Sequence, residues 1–382
     1  MNSVKPSRLY IYKFILLCYI YENQIHFFQK LYHGIRAGIR LILSSMAGEI
    51  SSSEKDRSTN FQLPKGKRTS ERAANMSTEG DNSNHVVPII DMQEFDQDVE
   101  HYRKLREAAE EWGCFRVVNH NIPVGLMTQM KKVVSELFEL PTETKRHNID
   151  LITGSGYLAP NVANPNYESL GLHDLGSPQN LGGFFSQLDA SPHQREILET
   201  YAQAIHELAL DLGKNLAKSM GLVTDLFKEW PCQLRMNKYH FTPETVGSSG
   251  VLVHSDCGFL TIVQDDEKVG GLEAMDNLGA FVPIRPWPGT FLVNLGDVAK
   301  LWSNGRFLNV KHRVECKESS IRFSIASSIL GPNEGVMEAP PELVDTEHPR
   351  LYAPITYEDY RKLRHTTKLA TGEALELLRI HS

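Results

Sequence analysis

The chain has 382 residues, 41% hydrophobic and 23% charged, which is ordinary for a globular protein and enough apolar material to bury a sizeable core. A formal charge of −7 argues against a nucleic-acid partner, because such affinity rests on Lys and Arg neutralising phosphates. Residues 1–84 carry 12 Lys and Arg against 7 Asp and Glu, so the rest holds 28 against 40 and is clearly acidic.

The leading segment differs in texture from the body. Leu9 to Tyr21 is apolar apart from Lys13, but these thirteen residues are too few for a stable membrane span. Glu22-Asn23-Gln24 stands where a secretory signal would need small residues, which weakens a targeting role. Residues 49–84 are rich in Ser, Lys, Glu and Asn, the composition of disorder. Residues 1–84 are therefore expected to be a disordered or non-native extension, with Met76 a candidate working start. Cys18, Cys114, Cys232, Cys257 and Cys316 are scattered and form no CxxC pair, as expected of reduced thiols in a cytoplasmic protein.

Order is expected from Val86-Val87-Pro88-Ile89-Ile90-Asp91, a short apolar run that reads as a strand. A helix follows from about Asp98, with Tyr102, Leu105, Ala109 and Trp112 at helical spacing and Gly113 placed to end it. Cys114 to His120 reads as a strand, and Val124 to Leu140 as a helix stopped by Pro141. Residues 151–190, rich in Gly, Asn, Pro and Ser, are expected to form a long connection without regular structure. Ser191, Pro192 and Gln194 then supply an N-cap, an N1 proline and a capping-box partner for a bracing helix that Gly221 closes.

From Gln233 the pattern changes to short strands divided by turns: Leu234–His240, Gly250–His254, Leu260–Gln264, Leu272–Met275, Phe281–Arg285, Thr290–Asn294, Val310–Val314 and Arg322–Ile329. The fold class expected is α+β, a double-stranded β-helix (jelly roll) core braced by an N-terminal helical and mixed region. The division expected is an N-terminal region at 85–228, the jelly roll at 229–332 and a helical tail at 333–382.

The chemistry is concentrated in His254-Ser255-Asp256 and His312. On a strand, residues i and i+2 face one side, so His254 and Asp256 would point together into the barrel. Two histidines and one carboxylate are the ligands of a facial triad, which leaves three positions of an octahedral Fe(II) open. HxD alone is weak, since a solvated turn explains it more often, and adding His312 in a chain with 15 histidines strengthens it only in part. Arg322 and Ser324 add a second half. A guanidinium inside a barrel costs several kcal/mol unless an anion pairs with it; no acidic residue lies between Arg322 and Ile329, which leaves an acid from another element or a bound anion as its partner. The fork of Arg322 and the Ser324 hydroxyl would suit the distal carboxylate of a dicarboxylic cosubstrate, with Tyr239 a third contact or simply a half-buried strand tyrosine.

These residues lie in motifs that resemble the plant Fe(II)- and 2-oxoglutarate-dependent dioxygenases from about residue 86 to 380. The motifs are Pro88-Ile89-Ile90-Asp91, WGCFRVVNH (112–120), NKY (237–239), HSD (254–256), NVKHRV (309–314) and RFS (322–324). The resemblance implies that His254, Asp256 and His312 bind iron and that Arg322 and Ser324, helped by Tyr239 and Asn237, bind 2-oxoglutarate. It also implies O₂ and a small-molecule substrate, with ascorbate as reductant. The family's usual glycine after Asn-His is Asn121 here, and Asn tolerates the positive φ the turn needs. Segments such as NPNYESLGLHD (164–174), RMNKYHFTPETVG (235–247) and EHPRLYAPI (347–355) are similar to the dioxygenases for auxin oxidation. That likeness implies oxidation of indole-3-acetic acid at carbon 2 of its indole ring. Hydroxylation or demethylation of another plant metabolite (a phenolic, alkaloid or gibberellin-like acid), a catalytically silent acid-binding protein and a zinc hydrolase are the competing readings; the last leaves Arg322 and Ser324 without a role. Phe259, Tyr157, Ser327 and Ile329 are expected on the substrate pocket wall, and nothing in the sequence singles out a partner for a substrate carboxylate or an oligomeric state.

Overall fold

A computed structural model describes residues 87–95, 99–149, 154–162 and 164–380, so the expectations for residues 1–84 lie outside the described residues. Short β1 (Ile89–Asp91) lies parallel to β2 (Cys114–Val118), and the amphipathic α1 (Val99–Glu111) connects them. Gly113 ends α1 at φ 66°, and a Cβ there would come within 2.5 Å of the Leu308 carbonyl oxygen, so both backbone angle and space require glycine. Asn121 does adopt the left-handed region, at φ 62°, just before α2 (Val124–Phe138) and the single turn α3 (Thr142–Lys145).

Residues 151–190 are not irregular throughout, contrary to expectation. They contain β3 (Tyr167–Leu172) and α4 (Pro178–Gln187). Tyr167–Leu172 is an edge strand paired along its length with β4 (Cys232–His240), so a distant partner rather than local propensity decides its state. Ser177 caps α4, accepting from the Asn180 amide, and Pro178 occupies N1, which offsets the helix-weakening Gly182-Gly183 pair. Next, α5 (Pro192–Ser219) forms the full capping box, in which Ser191 Oγ accepts from the Gln194 amide and Gln194 Oε1 accepts from the Ser191 amide.

The eight later strands fall within two residues of their expected limits: β4, β5 (Ser249–His254), β6 (Leu260–Gln264), β7 (Leu272–Met275), β8 (Phe281–Pro283), β9 (Phe291–Leu295), β10 (His312–Glu315) and β11 (Ile321–Ile329). They make the two sheets of a jelly roll, ordered β1-β2-β9-β6-β11-β4-β3 and β5-β10-β7-β8. The large sheet therefore runs across the 228/229 boundary, with β1, β2 and β3 hydrogen-bonded into the same layer as the later strands.

Helices α1, α2 and α5 cover the outer face of the large sheet, and α5 buries Ile197, Tyr201, Ile205, Leu208, Leu212 and Leu216 there. Truncating one such leucine to alanine removes about 2–5 kcal/mol of stability. On the inner side, Tyr239, Leu272, Ala274, Leu292 and Val314 meet between the two sheets. A short helix α6 (Asp297–Trp302) lies between β9 and β10, and the tail after β11 holds α7 (Tyr357–Thr367) and α8 (Glu373–Glu376).

Candidate active site

His254 ends β5 and His312 begins β10, and the antiparallel register sets them directly opposite each other. Asp256 lies two residues past His254, and its Oδ1 is 3.6 Å from His254 Nε2 and 3.7 Å from His312 Nε2. One ligand atom from each of the three residues falls within 4.8 Å of the others. Each histidine places Nδ1 against a backbone carbonyl, His254 on Leu252 at 2.9 Å and His312 on Val310 at 3.3 Å. That pairing puts the ring proton on Nδ1 and leaves the Nε2 lone pairs turned toward Asp256, as metal ligation requires. Burial, then the neighbouring His312, push His254 down to about 4, so it is neutral at physiological pH. Burial opposes charge on Asp256, but His312 and His254 bring it below the usual carboxylate range, and its Oδ2 is buried with no hydrogen-bond partner. Two imidazoles with their Nε2 atoms turned inward and a carboxylate with an open oxygen are the donor set that suits Fe(II).

On the opposite wall, β11 pairs with β4 so that Arg322 faces Tyr239 and Ser324 faces Asn237. Tyr167 donates to Asn237 Oδ1 at 2.8 Å, and Asn237 Nδ2 donates to Ser324 Oγ at 3.2 Å. The Arg322 guanidinium stacks 4.8 Å over the Tyr239 ring. Arg322 does have an acid partner, which reading along its own strand missed: Asp265, from the end of β6, accepts from Nη2. Burial opposes the charge on Arg322, but Asp265, Tyr239 and Asp266 more than offset it and raise its pKa. Nε and Nη1 remain buried without a hydrogen-bond partner, which leaves two donors for an anion.

The triad and the Arg322 group line one cavity of about 330 Å³. Along β11 its wall is Arg322, Ser324, Ala326, Ser328 and, just beyond the strand, Leu330. Ser327 and Ile329, expected on this wall, have the opposite parity and point to the other face. Phe259 is also misplaced by expectation: it is fully buried in an aromatic cluster with Phe227, Trp230 and Trp302. Tyr157 lies outside the cavity and donates to Glu168 Oε2 at 2.8 Å.

Motif reading passed over Tyr357 and Arg361 on α7, which close the cavity beside Cys257 and Leu330. Burial pushes the Cys257 thiol up to about 12, and the ligand atoms that converge are those of His254, Asp256 and His312, without Cys257. These four residues also border a second cavity of about 690 Å³ that carries Lys362, Arg364 and His365. The signal available was the spacing of Tyr357, Arg361 and Arg364 along one helix face in YEDYRKLRH.

Residues 230–330 match the 2OG-Fe(II) oxygenase superfamily, and residues 87–169 match the N-terminal region of a non-haem dioxygenase in morphine synthesis. The 2-oxoglutarate-dependent dioxygenase DAO of Oryza sativa is 51% identical over 276 residues, which cover 72% of this chain and 92% of the rice protein. The chain belongs to the 2OG-Fe(II) oxygenase superfamily. The crystal structure of the rice dioxygenase for auxin oxidation superposes with a TM-score of 0.73 at 48% identity, covering 77% of this chain and all of that one. A 2-oxoglutarate complex of the Arabidopsis thaliana dioxygenase for auxin oxidation 1 gives 0.67 at 57% identity, covering 69% and 100%. As a dioxygenase of this superfamily, the protein uses Fe(II) and 2-oxoglutarate with O₂ on a small molecule. No helix among the described residues is long and apolar enough to cross a membrane.

Proposed function

We propose that this dioxygenase oxidises indole-3-acetic acid to 2-oxindole-3-acetic acid, a step that inactivates auxin. The observation that carries the reading is the 48–57% identity to dioxygenases for auxin oxidation along their whole chains. His254, Asp256 and His312 are assigned to hold Fe(II), which supplies the O₂ activation coupled to decarboxylation of 2-oxoglutarate. Arg322 Nε and Nη1, with Ser324 and the Asn237 and Tyr239 side chains behind it, are assigned to hold the distal carboxylate of 2-oxoglutarate. The cavity's apolar lining includes Val251, Val263, Leu272 and Ala326, surfaces that disfavour water beside the reacting end.

An indole acid needs a countercharge at the mouth. Arg361 lines the cavity that holds the triad and also borders the second cavity beside it, with Lys362, Arg364 and His365 nearby, so Arg361 is assigned the substrate carboxylate. The jelly roll at 229–332 is assigned the chemistry, with 85–228 bracing it and 333–382 closing the mouth. Ascorbate is assigned as reductant. The free Cys114, Cys232, Cys257 and Cys316 and the acidic body support a cytoplasmic enzyme without a nucleic-acid partner.

The test is succinate release by the purified chain with Fe(II), ascorbate and 2-oxoglutarate. Indole-3-acetate should stimulate it and gain one oxygen atom, and Arg361→Leu should raise KM for that acid while leaving its neutral amide unaffected. Stimulation by other plant acids but not by indole-3-acetate refutes the substrate assignment.

A further inference from the structure

Ser255, the residue between the two neighbouring triad members, is fully buried, and every polar atom it owns is engaged. Its amide donates to the Ala370 carbonyl at 2.9 Å. Its carbonyl accepts from Arg364 Nη2 at 2.9 Å. Its hydroxyl donates to Asp297 Oδ1 at 2.7 Å and accepts from Arg364 Nη1 at 3.3 Å. Arg364 belongs to α7, so three of these four contacts come from the last thirty residues of the chain.

Asp297 is the hub on the other side. It has no exposed surface, and its Oδ2 accepts from the Tyr360 hydroxyl at 2.6 Å and pairs with Arg364 Nη1. Asn309 donates to Oδ1 at 2.6 Å. The Asp297 amide donates to the Asp256 carbonyl at 2.8 Å, and a Cβ on the preceding Gly296 would lie 2.7 Å from that same oxygen. The backbone of Asp256 is thus clamped from α6 while its neighbour Ser255 is clamped from α7.

We propose that Arg364 and Asp297 are positioning residues for the metal centre, acting through Ser255 to hold His254 and Asp256 in their converging geometry. Buried charges could be arranged for stability alone. What argues otherwise is where the hydrogen bonds end: on both sides of the peptide that separates two ligands. The same face of α7 carries Tyr357 and Arg361 at the cavity, so the C-terminal segment is part of the metal site and not a detachable tail.

This inference rests on the assignment of the triad as ligands, and the experiment separates the two. Mn(II) binding to the full chain is measured by electron paramagnetic resonance, alongside the melting temperature of the metal-free protein. Ser255→Ala and Arg364→Met should each weaken Mn(II) binding about 10- to 100-fold, the usual cost of losing an outer partner of a ligand. Arg364→Lys, which keeps a charge beside Asp297, should recover part of the affinity. Leu375→Ala, a core truncation in the same segment but outside the network, should lower the melting temperature and leave Mn(II) affinity unchanged. Unchanged Mn(II) affinity in Ser255→Ala and Arg364→Met overturns the proposal, as does an equal loss in Leu375→Ala. If Arg364→Met fails to fold, Ser255→Ala, which removes a single hydroxyl, decides. If His312→Ala binds Mn(II) as tightly as the parent, the triad assignment itself falls, and this inference with it.

Discussion

His254 and His312 are direct cross-strand partners, 58 positions apart in the chain, with their ring centroids 4.2 Å apart. Register, rather than loop geometry, therefore sets their separation, and a one-residue slip of β10 would turn His312 away from Asp256. Replacing His312 with alanine should abolish iron-dependent turnover and weaken metal binding by more than the roughly 10- to 100-fold attached to outer partners. The melting temperature of the metal-free protein should also fall somewhat, because the buried His312 ring packs against His254; calorimetry and metal titration separate that loss from the larger loss of metal binding.

Arg322 offers a cosubstrate two donors that a lysine cannot reproduce. Arg322→Lys should weaken 2-oxoglutarate binding by about 1.5–3 kcal/mol, roughly 10- to 150-fold in Kd, since charged hydrogen bonds are lost. Titration of 2-oxoglutarate into the Mn(II) protein measures it, and an unchanged Kd removes Arg322 from the cosubstrate site.

Asp266 braces the same strand from behind. Its Oδ1 accepts from the Lys268 and Val269 amides, both at 3.0 Å, and its Oδ2 accepts from the Phe323 amide and from Lys131, both at 3.1 Å. Burial works against the charge, but these donors bring the carboxyl below its ordinary value. A lowered folded pKa means that this contribution is complete above the unfolded value of about 3.9. It disappears as pH falls through the still lower folded value. Asp266→Asn should cost about 1–3 kcal/mol at neutral pH. The gap between parent and variant should shrink progressively below pH ~4 in acid denaturation curves.

Phe259 tests where the pocket ends. Its ring lies 4.5 Å from that of Phe227 and 5.5 Å from that of Trp302, well inside the apolar core. Phe259→Ala should cost about 3–5 kcal/mol of stability. KM for 2-oxoglutarate should be unaffected at temperatures where the variant stays folded; a selective rise in KM returns Phe259 to the pocket wall.

Strand positions were readable because alternation and turn residues are local, and the i, i+2 rule put Arg322 and Ser324 on one face of their strand; His254 and Asp256 also converge, but β5 ends at His254 and Asp256 lies in the loop that follows. The same rule, applied consistently, would have extended the wall to Ala326 and Ser328 and excluded Ser327 and Ile329. Asp265 was hidden because its partner lies 57 positions away on a neighbouring strand, and only register brings them together. β3 was hidden for the same reason: its Gly-containing edge sequence becomes a strand only against β4. Arg361 and Arg364 carried no motif, since what matters about them is which end of the barrel α7 covers.

The central position of β11 has a consequence for how the protein is made. It is the last strand to be synthesised, yet it lies between β6 and β4, and without it the large sheet is two separate groups of strands. A growing chain thus carries two open strand edges that cannot be closed until residue 329 has emerged from the ribosome. Release before that point leaves both edges exposed to other chains, which predicts heavy chaperone demand during translation. The strand that seals the sheet also delivers Arg322 and Ser324, so barrel closure and arrival of the pocket's arginine are one event.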